Sequence, residues 1–134
     1  LAVLPDVLDR PKDAIMKVAV YDFDSAEHGP WPALSSFAEE AQVALSGEHW
    51  VDVQNLGTNK GVALRRVQQT LGITSAQTMV FGDFLNDLEL MDAAEYSFAM
   101  DNAHPLLRER ARFVAPPNTE NGVVRTITAA LGLP

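Results

Sequence analysis

The octet Val80-Phe81-Gly82-Asp83-Phe84-Leu85-Asn86-Asp87 constrains this chain more than any other stretch, because it sets three polar groups directly behind an apolar run. Residues 78–81 read as a short buried strand, Gly82 permits a tight exit, and residues 84–94 carry the periodicity of a helix packed on a sheet. Asp83 therefore falls at the carboxyl end of a strand, where open α/β sheets bind their ligands. Asp83 and Asp87 are four apart, so a prompt helix start brings both carboxylates toward one spot, with Asn86 beside them as a neutral donor and acceptor. Two adjacent carboxylates repel, and a hard cation such as Mg²⁺ resolves the conflict. The octet taken alone fits a second reading equally: a plain helix start, with Asp as N-cap and acidic first-turn residues favoured by the helix dipole.

The surroundings extend the pattern. Lys60-Gly61 opens an amphipathic helix that sets Ala63, Leu64, Val67 and Leu71 on one face and closes at Gly72. Residues 97–103 form another short strand ending in polar residues, and residues 118–122 form a polar turn before the last helix. Helix and strand thus alternate from residue 60 onward, which implies parallel strands with right-handed crossovers, a Rossmann-like half sheet. Ahead of it, the pattern predicts a strand over residues 18–21, a Gly29-Pro30 turn, a helix over residues 32–45 carrying Leu34, Phe37, Ala38, Ala41 and Leu45, and an alternating strand over residues 50–54.

In this order, the lysine-glycine helix, the Gly82-Asp83-Phe84-Leu85-Asn86-Asp87 turn, the Ala99-Met100-Asp101-Asn102-Ala103 strand end and the Asn118 to Gly122-Val123 turn resemble the haloacid dehalogenase superfamily, specifically its Cof-type sugar-phosphate phosphatases. The resemblance covers residues 17–133 and is most specific from Lys60 onward. It implies an α/β fold: the second half of a Rossmann-like catalytic core over residues 57–134, preceded by part of an α/β cap over residues 1–56. It also implies roles. Asp83 would ligate Mg²⁺, Asp87 would orient the metal shell and the lysine, Asn86 would contact the phosphoryl group, and Lys60 would hold charge on the phosphate. A compact ammonium suits that task, since phosphoryl transfer is catalysed mostly by positioning and charge neutralisation.

Members of that superfamily open with an apolar strand ending in DxDGT, whose first Asp is the nucleophile and whose second is general acid and base. Asp22-Phe23-Asp24-Ser25 after residues 17–21 is a local match. It departs from the motif, since Ser25 stands where glycine is usual and Ala26 where Thr or Val is usual, and its place fits the last strand-helix-strand unit of a cap. The expectation is therefore a hydrolase that acts on small phosphate monoesters but lacks its nucleophile motif in this chain, leaving the chain inactive alone and either self-associated or paired with an amino-terminal half. Two rivals stand beside it: a complete miniature phosphatase using Asp22 and Asp24, and a non-catalytic module that binds a cation or phosphate without turnover.

Composition bounds the setting. At 134 residues, 47% hydrophobic and 21% charged, the chain is of ordinary globular composition and can bury a core. No apolar run suits a membrane span, Leu1-Ala2-Val3-Leu4 has no basic flank of the signal-peptide kind, and the absence of cysteine fits the cytoplasm. Ten acids face three bases before Lys60, and eight acids face seven bases from Lys60 onward, for a net charge of −8, which disfavours nucleic acid as a partner. The acidic first part reads as a solvated face. Arg108, Arg110 and Arg112 lie on a helix after Pro105, where they either steer an anion or solvate the surface. His28, His49 and His104 lack the paired spacing of a zinc site. Trp31 and Trp50 fit packing, or a substrate pocket if they lie in a cap; Asn102 fits support of Asp83 or a cap on the helix after Pro105.

Overall fold

The computed structural model describes residues 14–133. The reading of Leu1 to Leu4 and the first thirteen residues of the expected cap lie outside them. Two three-stranded sheets organise the described residues. In the first, β1 (Lys17–Tyr21) and β2 (Ala41–Gly47) flank β3 (Trp50–Asn55), all antiparallel, in the order β1-β3-β2. In the second, β4 (Met79–Gly82), β5 (Tyr96–Met100) and β6 (Phe113–Ala115) run parallel in chain order.

The helix expected over residues 32–45 is a correction. Only α1 (Pro30–Leu34) and a 3-10 turn (Ser35–Phe37) are helical, and the chain then extends into β2. Its apolar residues fit both periods: Leu34, Phe37, Ala38, Ala41 and Leu45 recur at helical spacing, while Val43 and Leu45 alternate. Pairing with β3 decides between them, because it satisfies the backbone of β2 and buries Leu45 at 4% exposure, whereas Phe37 stays half exposed. The antiparallel unit is thus a strand, a short helix and a hairpin.

Helix α2 (Lys60–Leu71) starts where Asn59 accepts the Val62 N–H at 2.8 Å and ends at Gly72, whose left-handed φ of 67° lets the Ile73 N–H reach Gln68 O. Its inward face differs from the expected one. Gly61 and Gln68 are buried and Leu64 is half-buried, while Val67 and Leu71 are exposed. The reason is a close approach: a Cβ on Gly61 would strike the backbone carbonyl of Glu89, on α3 (Leu88–Met91), so the glycine side of α2 is the side that docks. Gln68 follows it inward because its amide donates to Thr78 Oγ1 and Ala93 O, both at 2.9 Å.

Residues 84–94 are less helical than their periodicity predicts: a 3-10 turn (Leu85–Asp87) leads into the single turn of α3. Helix α4 (Pro105–Arg110) stops before Arg112, and β6, which the sequence reading left without an element, follows it. The last helix is α5 (Gly122–Leu131). Two apolar clusters result. One gathers Val80, Met91, Ala99, Met100, Leu107 and Ala115 around the parallel sheet. The other centres on Ala26, Leu45 and Val51, and Phe84 and Leu85 pack against it from the turn after β4. The turn that carries the acidic residues is therefore clamped between the two sheets.

Candidate active site

Gly82 ends β4 with no room for a side chain, since a Cβ there would lie 2.7 Å from Asp87 Cβ and 2.9 Å from Met91 Cε. This lets the chain fold straight back. The Asp87 N–H donates to Phe84 O at 3.0 Å, closing the turn, and the Asp87 carboxylate is brought beneath the start of its own loop. There Asp87 Oδ2 accepts the Asp83 N–H at 3.2 Å, and Oδ1 accepts from Lys60 Nζ. The Asp87 side chain is only 5% exposed and that of Lys60 49%, so the pair joins a buried carboxylate to an ammonium at the surface. The Asp83 carbonyl accepts the His104 N–H at 2.9 Å, fastening the loop to the start of α4, and the Phe84 and His104 rings meet edge to face at 5.6 Å.

Lys60, Asp83 and Asp87 line one hollow of about 290 Å³, floored by Phe81, Leu90 and Met100 and bordered by Asn118. Asp83 itself is exposed. Asn86 is half-buried and lines a neighbouring cleft of about 470 Å³ between the sheets, together with Trp31, Val43, Leu45, Gln54 and Leu85. Lys60 borders both. Three of the four residues expected from the octet and the lysine helix thus share one hollow, and the fourth opens onto the cleft beside it.

The other candidates lie elsewhere. Asp22 follows β1 in the antiparallel sheet, where its Oδ1 accepts the Asp24 and Ser25 N–H groups at 2.8 Å, a local turn that accounts for the Asp-x-Asp spacing structurally. Asn102 neither hydrogen-bonds Asp83 nor caps α4: His104 caps that helix by accepting the Leu106 N–H, and Asn102 Oδ1 instead accepts the Asn118 N–H at 3.1 Å. Arg108, Arg110 and Arg112 pair with Asp101, Asp92 and Glu95 respectively. The Arg110 fork holds both Asp92 oxygens at 2.6 and 2.7 Å, and this hydrogen bonding keeps the Asp92 carboxyl below the usual carboxylate range. Trp50 meets Tyr21 edge to face at 4.8 Å and lines neither hollow, whereas Trp31 lines the cleft. Among the described residues no three His, Cys, Asp or Glu side chains cluster as a metal site, and no helix is long and apolar enough to cross a membrane.

The family model for haloacid dehalogenase-like hydrolases matches residues 8–127. The chain belongs to that family. Its motifs and relatives place it with the Cof type, as the resemblance implied. The family member is 35% identical over 94% of its length to the 5-amino-6-(5-phospho-D-ribitylamino)uracil phosphatase YbjI of Escherichia coli, covering 47% of that protein. It is 33% identical over 77% of its length to an HMP-PP phosphatase of Escherichia fergusonii, covering 38% of that protein. Among solved structures, a Streptococcus mutans protein superposes with a TM-score of 0.79 at 28% identity, over 87% of this chain and 45% of that one. A haloacid dehalogenase-like hydrolase from Bacillus subtilis gives 0.73 at 28% identity, over 87% and 41%. This hydrolase-family chain therefore spans less than half the length of these relatives.

Two features of the site escaped sequence reading. Gly82 was legible as a turn but not as the cradle of Asp87, and Asn118 was legible as part of a polar turn but not as a wall of the hollow. The cradle appears only once the turn has folded Asp87 and Met91 back onto Gly82, and Asn118 reaches the hollow from a separate element.

Proposed function

We propose that this chain carries the metal- and phosphate-holding half of a Mg²⁺-dependent phosphatase site for small phosphate monoesters. The observation that carries the proposal is the Lys60–Asp87 pair set under an exposed Asp83 at the carboxyl end of β4. The donor set suits the cation, because Asp83 presents an exposed carboxylate with the Asp87 carboxylate behind it, and Mg²⁺ takes oxygen ligands. When bound, the ion neutralises charge on a phosphoryl group.

The chain's own residues divide the remaining work. Asp87, committed to Lys60 and to the Asp83 N–H, fixes both partners rather than reacting. Lys60 has three ammonium donors, so those not taken by Asp87 are free for a phosphoryl oxygen. Asn86 approaches the same group from the cleft, which receives the ester's other half. In this reading residues 1–56 are part of a cap, residues 57–134 the second half of a catalytic core, and the setting is cytoplasmic. The phosphatase names of the relatives support the reaction class.

Asp22 is not the nucleophile in this proposal, because its carboxylate already closes its own turn and its strand belongs to the antiparallel sheet. The 134-residue chain alone then shows no appreciable hydrolysis of sugar phosphates with Mg²⁺, since positioning without a covalent acceptor leaves only residual catalysis. A colorimetric phosphate-release assay decides this. Robust turnover that is abolished by Asp22→Asn would overturn the proposal in favour of a complete miniature enzyme.

A further inference from the structure

The hollow beside Lys60 has a third oxygen-bearing wall. Of the nine residues lining it, only Asp83, Asp87 and Asn118 carry a side-chain oxygen, and Asp87 is already engaged by Lys60 and by the Asp83 N–H. A hydrated cation seated at Asp83 needs about six oxygens in near-octahedral array and retains waters for most of them. The side chain left to receive those waters, or to ligate directly, is Asn118.

Asn118 is not placed by its own element alone. It begins a 3-10 turn (Asn118–Glu120), and its backbone N–H is held by Asn102 Oδ1, from the loop after β5, at 3.1 Å. Two further ties fix this corner. The Asp101 N–H donates to Ala115 O at 2.9 Å, drawing the ends of β5 and β6 together, and Gly122 packs so tightly that a Cβ would strike the Pro116 carbonyl and approach Met100 Cε at 2.9 Å. Asn121, at φ 55°, turns the chain into α5 immediately behind. These bonds and contacts hold the turn where it borders the hollow, and among the described residues its side-chain anchor from another loop is Asn102.

We propose that Asn118 is a cation-shell residue of this site and that Asn102 is the positioning residue that presents it. The inference rests on the metal reading of Asp83 given above. A neutral amide at this place adds an oxygen without adding charge to a hollow that already holds two carboxylates and one ammonium, so exchanging it for a carboxylate changes affinity in a known direction.

The test is a MgCl₂ titration of the ¹⁵N-labelled chain, read from the backbone amide shifts of Gly82, Asp83 and Asn118, with folding checked by the dispersion of the remaining peaks. The expected result is that Asn118→Ala weakens Mg²⁺ affinity by about 3- to 10-fold, at or below the range typical of supporting residues, and that Asn118→Asp tightens it. Asn102→Ala should weaken it as well, and the double Ala variant should bind no worse than Asn118→Ala alone, because Asn102 acts through Asn118. A residue with only a structural role would not give opposite signs for Ala and Asp. If the parent chain binds Mg²⁺ and both Asn118 variants bind it equally well, the assignment of Asn118 is overturned while the metal site stands. Additive losses in the double variant would overturn the positioning role of Asn102. A parent chain with no saturable shift would overturn the metal site and this inference together.

Discussion

Asp87 uses both carboxylate oxygens inside the protein, one on the Asp83 N–H and one on Lys60, so its neighbours determine what a substitution does. Lys60→Met would leave a 5% exposed carboxylate without its counter-charge. Because the lysine is half exposed and water can partly replace it, the expected loss is about 1–3 kcal/mol rather than that of a fully buried pair. Urea unfolding of the two proteins measures it. Gly82→Ala should be worse for the site than for the fold, since the new methyl displaces Asp87 from the Asp83 N–H: the prediction is a folded protein with Mg²⁺ affinity reduced at least about 10-fold, comparable to loss of a ligand-supporting contact. At Asp92 the relevant variable is pH. Hydrogen bonding from Arg110 lowers the folded-state pKa, so the pair contributes stability above the ordinary carboxylate range and loses it as pH falls through the lowered value. Arg110→Ala should therefore lower the thermal midpoint slightly near pH ~6, where ordinary carboxylates are ionised, with the difference from the parent shrinking as pH falls through the lowered value. Asp83 and Asp87 were legible as a pair because the turn chemistry of Gly82 and the four-residue spacing are local, whereas Lys60, twenty-seven residues from Asp87, joined them only through the family resemblance. Asn102 was not, because its partner Asn118 lies sixteen residues away.

Elements were legible where one period dominates the sequence and illegible where two compete. The β4 and β5 strands emerge from short apolar runs bounded by glycine or polar residues, and α2 from its cap and its closing glycine. Residues 32–45 satisfied a helical period and an alternating one, and only the edge offered by β3 made the second half a strand. If burial of Leu45 against Val51 and Ala26 is what holds β2 there, Leu45→Ala should cost about 2–4 kcal/mol in a denaturant titration. A cost below about 0.5 kcal/mol, the range of a surface change, would show that the strand does not depend on this contact. The inward face of α2 was misread for a different reason. Amphipathic counting weights large apolar side chains, but here Gly61 and Gln68 dock, one by lacking a side chain and the other by hydrogen-bonding Thr78 and Ala93. Gln68→Leu keeps the volume and removes the bonds, leaving the Ala93 carbonyl without that donor, for an expected loss of about 1–3 kcal/mol.

At the scale of the whole molecule, the antiparallel and parallel sheets meet across the Phe84-Leu85 turn, so the cleft lined by Trp31, Val43 and Asn86 and the hollow holding Asp83 are two sides of one loop. The outer side of β4 has no paired strand among the described residues, and beside it Met79, Phe81, Tyr96, Ile127 and Leu131 line an apolar groove. Open strand edges and apolar patches recruit partners, and the purified chain is expected to self-associate, with light scattering giving a mass above the 14.6 kDa of one copy. A monodisperse monomer at about 100 μM, the upper part of the range where exposed surface drives association, would contradict this. Every role given to the hollow depends on whether Asp83 is a cation ligand. Isothermal titration of Mg²⁺ into the parent chain and into Asp83→Asn tests that most directly: the prediction is weak but saturable binding to the parent and none to the variant, and equal binding by the two proteins would remove Asp83 from the metal role.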